Sequence, residues 1–548
     1  MNKKTIYYVS SYHGDDTNCG TTKEAPFQSL RKINELQLKP GDQVLLERGS
    51  QFKEQYLHLY QSGTKEEPIV IDAYGDGELP RIETKGNGIW YQNYGGPLDN
   101  VVHTWRGTVS SSILLYDVEY IMIQNIEITN DGLKTGESFS QGDRMSRTGV
   151  SVIAKNKGTL HNITLGYLFI HDVLGNVYDK HLNNGAIYFS ALKPDKEEET
   201  GIARYDRVHI HHCKIARCRR WGIAVGYTYQ HNQFTTIELD DETVRTYGST
   251  NVLIEHNQIR EIGGDGITPM YCFEPVVQYN VSENIAMDMN DHSYTEAGIR
   301  EGKTAAAMWP WKCKTALFQY NEAFSTYFNQ DGEAWDADSG DGTIYQYNYS
   351  HDNKGGCIMF CEGESINTIF RYNISQNDGT GTITPVRNPN AHIYNNTFCI
   401  PEGVPFIRHD LSGGGMLVEN NIIFYMGETA RQEDWHHHTP NTVYHNNLYY
   451  NYANTPEEDA QAVLAKKHEV VLENPGSAPS KAREKVNQRT GLQTMFDGYR
   501  LPKTSLAAGT GKEIIGWNGT DFFERKRFGK PSIGAVYASD DRKEKIIK

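Results

Sequence analysis

The sequence is short of most features that would assign it quickly. Eight cysteines in 548 residues are too sparse for a disulfide scaffold, so reduced thiols are expected. No run approaches the ~18 apolar residues of a membrane span, so no membrane partner is expected. Basic residues number 54 against 69 acidic, a net charge of −15. A chain with that balance lacks the cationic face that phosphate backbones require, and no nucleic-acid partner is expected. Apolar residues are scarce too: with Gly counted and Tyr left out they reach about 41%, below the usual ~45–50%. Aromatic residues at 11% nevertheless argue against disorder, because they need a packed interior. Met1 to Tyr8 carries Lys3 and Lys4 but no apolar stretch. No secretory signal is visible there, so a cytoplasmic protein is expected, or a secreted one if a leader has been removed.

What the chain does have is a repeat. Short β-rich runs pass through an Asn near their end: LIEHNQI (Asn257), VVQYNVS (Asn280), LFQYNEA (Asn321), IYQYNYS (Asn348), IFRYNIS (Asn373), HIYNNTF (Asn395), LVENNIIF (Asn420) and VYHNNLYY (Asn446). The intervals are 22 to 27 residues, with one of 41. Such a period marks a solenoid whose units bury their apolar faces against their neighbours, and three short strands with polar turns fill each unit. Asn suits one corner, since it tolerates left-handed backbone angles and its amides can stack in a column. A second column carries glycine: NGAIYF, WGIAVG, DGITPM, DGEAWDAD, GGCIMFCE and GTITPVR, with Gly185, Gly222, Gly266, Gly332, Gly356 and Gly381.

The length alone suggests three or four domains. The repeat predicts instead one all-β parallel β-helix, with a core over 86–450 that carries insertions at 86–112, 132–148 and 227–250. Residues 1–85 read as an N-terminal cap with the first strands. Within them Phe27, Leu30, Ile33 and Leu36 make the stripe of a short helix over 26–38. Residues 451–548 read as a closing segment with a helix over 456–468, opened by Pro456.

The chemistry concentrates in 331–341, which holds Asp331, Glu333, Asp336, Asp338 and Asp341. Glycoside hydrolysis generally needs two carboxyls, ~5–5.5 Å apart for retention and ~6.5–9.5 Å for inversion. An extended chain from Asp331 to Asp338 would span roughly 23 Å, so that pair works only across a bend. Asp336 and Asp338 share a strand face without one, at about 6.5 Å. Aligning Gly332, Gly356 and Gly381 places Trp311, Asp338, Glu362 and Arg387 in one column, where Asp338 and Glu362 would face each other across ~4.8 Å. Trp309, Trp311 and Trp335 are candidate sugar-stacking walls. His351, Arg387, Arg408 and His409 are candidate partners for sugar hydroxyls. The competing reading of the acids is a solvated corner or a calcium ligand set, and of the tryptophans, core packing. Cys213 and Cys218 beside His209, His211 and His212 fit no standard zinc spacing and read as core thiols. No metal or cofactor is expected.

Three segments carry a family resemblance. YYVSSYHGDDTNCGTTKEAPFQSL with PGDQVLLERG and EEPIVIDAYG, and the ending YRLPKTSLAAGTG with SIGAVY, resemble the two ends of carbohydrate-active right-handed β-helix proteins of the pectin-lyase type. Residues 307–362 resemble the central motif of the lacto-N-biosidase-type β-helix glycosidases. That resemblance implies a right-handed coil, with Asp331 as acid/base and Asp338 as nucleophile. The expected function is a glycoside hydrolase, retaining and exo-acting, on an oligosaccharide substrate, with the insertions walling one side of a cleft. The alternatives are a polysaccharide lyase acting on a uronate-containing glycan and a non-catalytic β-helical glycan-binding protein.

Overall fold

A computed structural model describes residues 4–99, 103–131, 145–235, 238–290, 303–408, 414–437, 439–483, 493–527 and 529–538. The fold is all-β, built on long parallel sheets. The helices described from end to end are short, Leu30–Glu35, Glu197–Thr200 and Asp241–Tyr247, beside 3-10 turns at His231–Gln233 and Gln493–Tyr499. The repeat is visible as register. Ile344 lies opposite Ile369 and Ile369 opposite His392, while Tyr349 lies opposite Ile374 and Ile374 opposite Thr397. A strand therefore pairs with its counterpart about one repeat later, and the chain visits each sheet in turn. Among the described residues the largest sheets have 19 and 14 strands, and a third has seven. Among the described residues, the hairpin of Ile89–Asn93 with Arg106–Tyr116 is the one antiparallel strand pair. Its paired residues, 89–93 and 106–110, fall within the first insertion.

Alternation along the strands sends Trp335, Ala337, Ile358, Phe360, Phe370, Ile383 and Ile393 into one continuous core. Turns rather than strands dominate the sequence between these short runs, which accounts for the low apolar fraction. The short helix buries Leu30 and Ile33 against that core. Among the described residues no helix is long and apolar enough to cross a membrane.

The Asn column is a hydrogen-bonded ladder. Asn257, Asn280, Asn321, Asn348, Asn373, Asn396, Asn421 and Asn447 follow one another, and each after Asn257 takes the backbone N–H and an amide N–H of the Asn above on its Oδ1. Two details differ from the sequence reading. In the three Asn-Asn pairs it is the second Asn that joins the ladder, so Asn395, Asn420 and Asn446 sit beside it. The left-handed residue is the one before each ladder Asn: His256, Tyr279, Tyr320, Tyr347, Tyr372, Asn395, Asn420 and Asn446, all with φ between 51° and 58°. The ladder Asn is needed for its amide. Several of the left-handed side chains stack outside the corner, with His256, Tyr279, Tyr320 and Tyr347 spaced 4.9 to 5.0 Å apart.

The closing segment does not begin with the expected helix. Residues 456–468 form turns and the strand Val463–Ala465. Asp459 there caps the ladder by accepting the backbone N–H groups of Asn446 and Asn447, so the segment continues the sheet. Beyond it, Phe496, Tyr499, Phe522 and Val536 cover the outward face of the 14-stranded sheet at Tyr349, Ile374, Ile422 and Leu448. The cover is pinned where Glu322 accepts the backbone N–H groups of Ala482 (3.3 Å) and Arg483 (2.7 Å).

Candidate active site

The acidic run opens the strand Glu333–Asp341 in the 19-stranded sheet. Trp335 and Ala337 face the core, so Asp336 and Asp338 face outward together. Tyr345 fixes this segment from within by donating its hydroxyl to the Asp336 carbonyl at 2.7 Å. Two outward columns result. In one, Asp336 pairs with Met359 and Met359 with Thr384. In the other, Trp311 pairs with Asp338, Asp338 with Cys361, and Cys361 bridges Arg387. Carboxylate oxygens of Asp336 and Asp338 and the Cys361 sulfur all lie within 4.8 Å of one another.

The bend that an Asp331–Asp338 pair requires is present. Gly332 has φ +106°, and a Cβ there would lie 2.4 Å from the Tyr327 carbonyl oxygen. Only glycine fits, and the turn swings Asp331 out of the strand direction. A second irregularity follows Asp338: Ser339 has φ 39°, Gly340 has φ 152°, and the register slips between Asp338 and Gly340. Opposite this slip the partner strand carries two extra residues, since Cys361 pairs with Asp338 and Ser365 with Gly340. Glu362 is therefore not the rung partner of Asp338; Cys361 is. The glycine alignment missed by one residue because Gly356 pairs with Glu333, not Gly332. The Glu362 side chain lies outside the described residues.

The electrostatics are those of crowded, half-dry acids. Burial, and then the charges of Asp338, Asp331 and Glu333, push the Asp336 carboxyl well above the usual range, with Lys180 opposing. Burial and Asp331 do the same to Glu333. Glu333 is fully buried; its Oε1 lies 3.9 Å from the Arg408 guanidinium. Carboxyls kept protonated beside others that ionise are what a general acid needs.

Upstream of the acids stands an aromatic wall, built partly by the insertions. Trp309 is buried against Trp221, with Lys180 over its ring at 5.2 Å. Its indole N–H donates 2.9 Å to Asp265, which also forms a fully buried ion pair with Arg220 at 2.7 Å. Trp311, half-buried, donates to the Tyr271 hydroxyl at 2.9 Å. Tyr271 and Tyr227 both donate 2.8 Å to Asp99 from the first insertion. His103 of the same insertion packs against His181, and burial depresses it to about 3. The second insertion, at 132–148, lies mostly outside the described residues.

The remaining candidates divide. Arg408 is in the wall of the site, donating to the Gln330 carbonyl at 3.2 Å beside Glu333. Arg387 is exposed at the end of the Asp338 column. Trp335 is no sugar wall: it is fully buried in the core, because its parity is opposite to that of Asp336. His351 is no sugar ligand either. It lies on the 14-stranded sheet, buried, bonded to Glu322 (3.1 Å) and Asp352 (2.7 Å). Its burial favours the neutral ring, but those two carboxylates outweigh it and push the group up to about 9. His409 lies outside the described residues. Lys180, Asp265, Arg220 and Cys361 were not singled out for the site from sequence. Only Asp265 carried a signal, since its Asp-Gly repeats that of Asp331 and Gly332 in the glycine column.

No family model matches the chain. A crystal structure of a GH136 lacto-N-biosidase from Eubacterium ramulus superimposes with a TM-score of 0.74 and 56% identity, covering 76% of this chain and 67% of that one. The chain belongs to the GH136 lacto-N-biosidase family. A lacto-N-biosidase of Bifidobacterium longum subsp. longum is 42% identical over 97% of this chain. This member spans only 36% of that relative's length. XylC in complex with xylose shares the fold alone, at 14% identity with a TM-score of 0.53.

Proposed function

We propose that this GH136 member is an exo-acting, retaining glycoside hydrolase that releases lacto-N-biose from the end of an oligosaccharide. Asp338 acts as nucleophile from the outward strand face, and Asp331 as acid/base from beyond the Gly332 bend. The observation that carries this reading is the left-handed turn at Gly332, a residue that admits no side chain, between two carboxyls seven positions apart. Attack by Asp338 on the anomeric carbon displaces the leaving oxygen as Asp331 protonates it. Water deprotonated by Asp331 then hydrolyses the glycosyl-enzyme ester. Asp336, held protonated by its surroundings, offers a hydrogen bond to the substrate or to Asp338 without competing as a nucleophile. Trp309 and Trp311 close the upstream side and favour an exo mode. The fold is a single right-handed β-helix with the Leu30–Glu35 helix at its N-terminal end, the turns over 86–450 as the body, and 451–548 as closing segment.

A panel of chromogenic glycosides tests the assignment. Wild type should hydrolyse the lacto-N-bioside and spare the corresponding monosaccharides, with Asp331→Asn and Asp338→Asn each losing about a thousandfold or more in kcat. Full activity in either variant removes that residue from the mechanism.

A further inference from the structure

We propose that Asp336, Asp338 and Cys361 form a binding site for a thiophilic divalent cation of the zinc type, and that an occupant takes Asp338 out of action. The first half stands on the arrangement of the side chains; the second rests on the assignment of Asp338 as nucleophile.

Backbone pairing places the thiol there. Cys361 is the rung partner of Asp338, and Asp336 precedes Asp338 by two residues on the same face. Among the described residues, these three form the one group of metal-capable side chains whose ligand atoms come within 4.8 Å of one another. A tetrahedral zinc, with Zn–S ~2.3 Å and Zn–O ~2.0–2.2 Å, needs its ligand atoms roughly 3.3–3.6 Å apart, within reach by small side-chain rotations. A second observation points to a cationic occupant. Asp336 is only 4% exposed, yet its Oδ1 has no hydrogen-bond partner. Asp331 adds negative charge around it, against Lys180. A divalent cation would satisfy that oxygen and neutralise the cluster.

The donor set selects the class of cation. Calcium takes six to eight oxygens and magnesium a nearly regular octahedron, whereas a thiolate with two carboxylates suits zinc or cobalt(II). Three protein ligands leave a fourth position for water. Binding displaces the thiol proton and the Asp336 proton to solvent, so it should weaken as pH falls. The cation would sit against the Asp338 oxygen that attacks the sugar, making zinc an inhibitor competitive with substrate.

The test uses the full chain after treatment with a chelator. Cobalt(II) should produce a thiolate-to-metal charge-transfer band in the near ultraviolet, and zinc should abolish it. Cys361→Ala should lose the band and weaken zinc binding, measured by calorimetry, by about tenfold or more. Asp336→Asn should keep the sulfur but also weaken binding, which guards against a Cys361 variant that merely misfolds. Cys19→Ser, at an exposed cysteine, should change neither readout. In kinetics, the inhibition constant of zinc should rise with the same variants, each compared with its own metal-free rate. No band in wild type, or zinc binding unchanged in Cys361→Ala, would overturn the site and reveal adventitious binding at surface histidines. The band with no inhibition would overturn the second half alone. A chain that binds zinc at Cys361 but hydrolyses no glycoside would contradict the proposed function and leave the site standing.

Discussion

Removing one amide from the Asn ladder should cost more than its size suggests. Asn321 is fully buried in the middle of the column. Its Oδ1 accepts the Asn280 backbone N–H (2.9 Å) and side-chain amide (3.1 Å), and its Nδ2 donates to the Val277 carbonyl (2.9 Å) and Asn348 Oδ1 (3.1 Å). Asn321→Ala leaves the Asn280 N–H without that acceptor and removes a donor from Val277 at a fully buried position. At ~1–3 kcal/mol per buried group left unpaired, the loss is about 4 kcal/mol. Unfolding entropy of ~2.1 cal/mol/K per residue gives roughly 1.2 kcal/mol/K for a chain of this length, so Tm should fall by about 3–4 °C if the coil melts as one unit. Asn321→Asp preserves shape and acceptor but sets an oxygen against Val277 and Asn348. It should be at least as damaging, and more so at pH values where the carboxyl ionises. Scanning calorimetry, with the exposed Asn441→Ala as reference, measures this. Equal Tm values for Asn321→Ala and Asn441→Ala would refute the ladder as a source of stability.

The pin under the C-terminal cover should depend on pH. His351 is pushed up to about 9 from 6.5, so its contribution is complete below pH 6.5 and is lost as pH rises through 9. The shift corresponds to ~3 kcal/mol. The Tm difference between wild type and His351→Gln should therefore shrink between pH 6.5 and 10; a constant difference would show that the ring is not charged in the fold. Asp265→Ala leaves the Arg220 guanidinium buried and unpaired and unties Trp309. It should cost about 3–5 kcal/mol and lower kcat as well, with Arg220→Met in the Asp265→Leu background recovering stability but not activity. Gly332→Ala should fold, with local strain, yet lose about a hundredfold in kcat because Asp331 moves relative to Asp338. Wild-type kcat in that variant would remove the bend from the mechanism.

Residues differed in how far local pattern could place them. The Asn and Gly columns announced the repeat because a parallel coil writes its corners into the sequence at a constant spacing. The pairing of Trp311 with Asp338 could be read from the same spacing. Glu362 could not, because the strand pairs Gly356 with Glu333 rather than with Gly332, and a one-residue offset between two glycine-led runs leaves no mark in either. Trp335 resembles a wall residue only by its nearness to the acids, since its parity, opposite to that of Asp336, puts it inside. His351 lies close to the acids in sequence, but that does not say which sheet a residue joins. The helix expected over 456–468 failed because Asp459 accepts the backbone N–H groups of Asn446 and Asn447, so tertiary bonding overrides local propensity. Lys180 acts on Asp336, and Asp99 binds the Tyr271 that holds Trp311, only because segments far from the acids in sequence fold back beside them.

The most direct test of the two carboxylate roles is chemical rescue of Asp338→Ala and Asp331→Ala by azide on an activated lacto-N-bioside, with the product's anomeric configuration read by NMR. Azide should replace the nucleophile in Asp338→Ala and give a glycosyl azide inverted relative to the substrate. In Asp331→Ala it should intercept the glycosyl-enzyme and give the retained anomer. Exchanged configurations, or no rescue in either variant, would contradict the account.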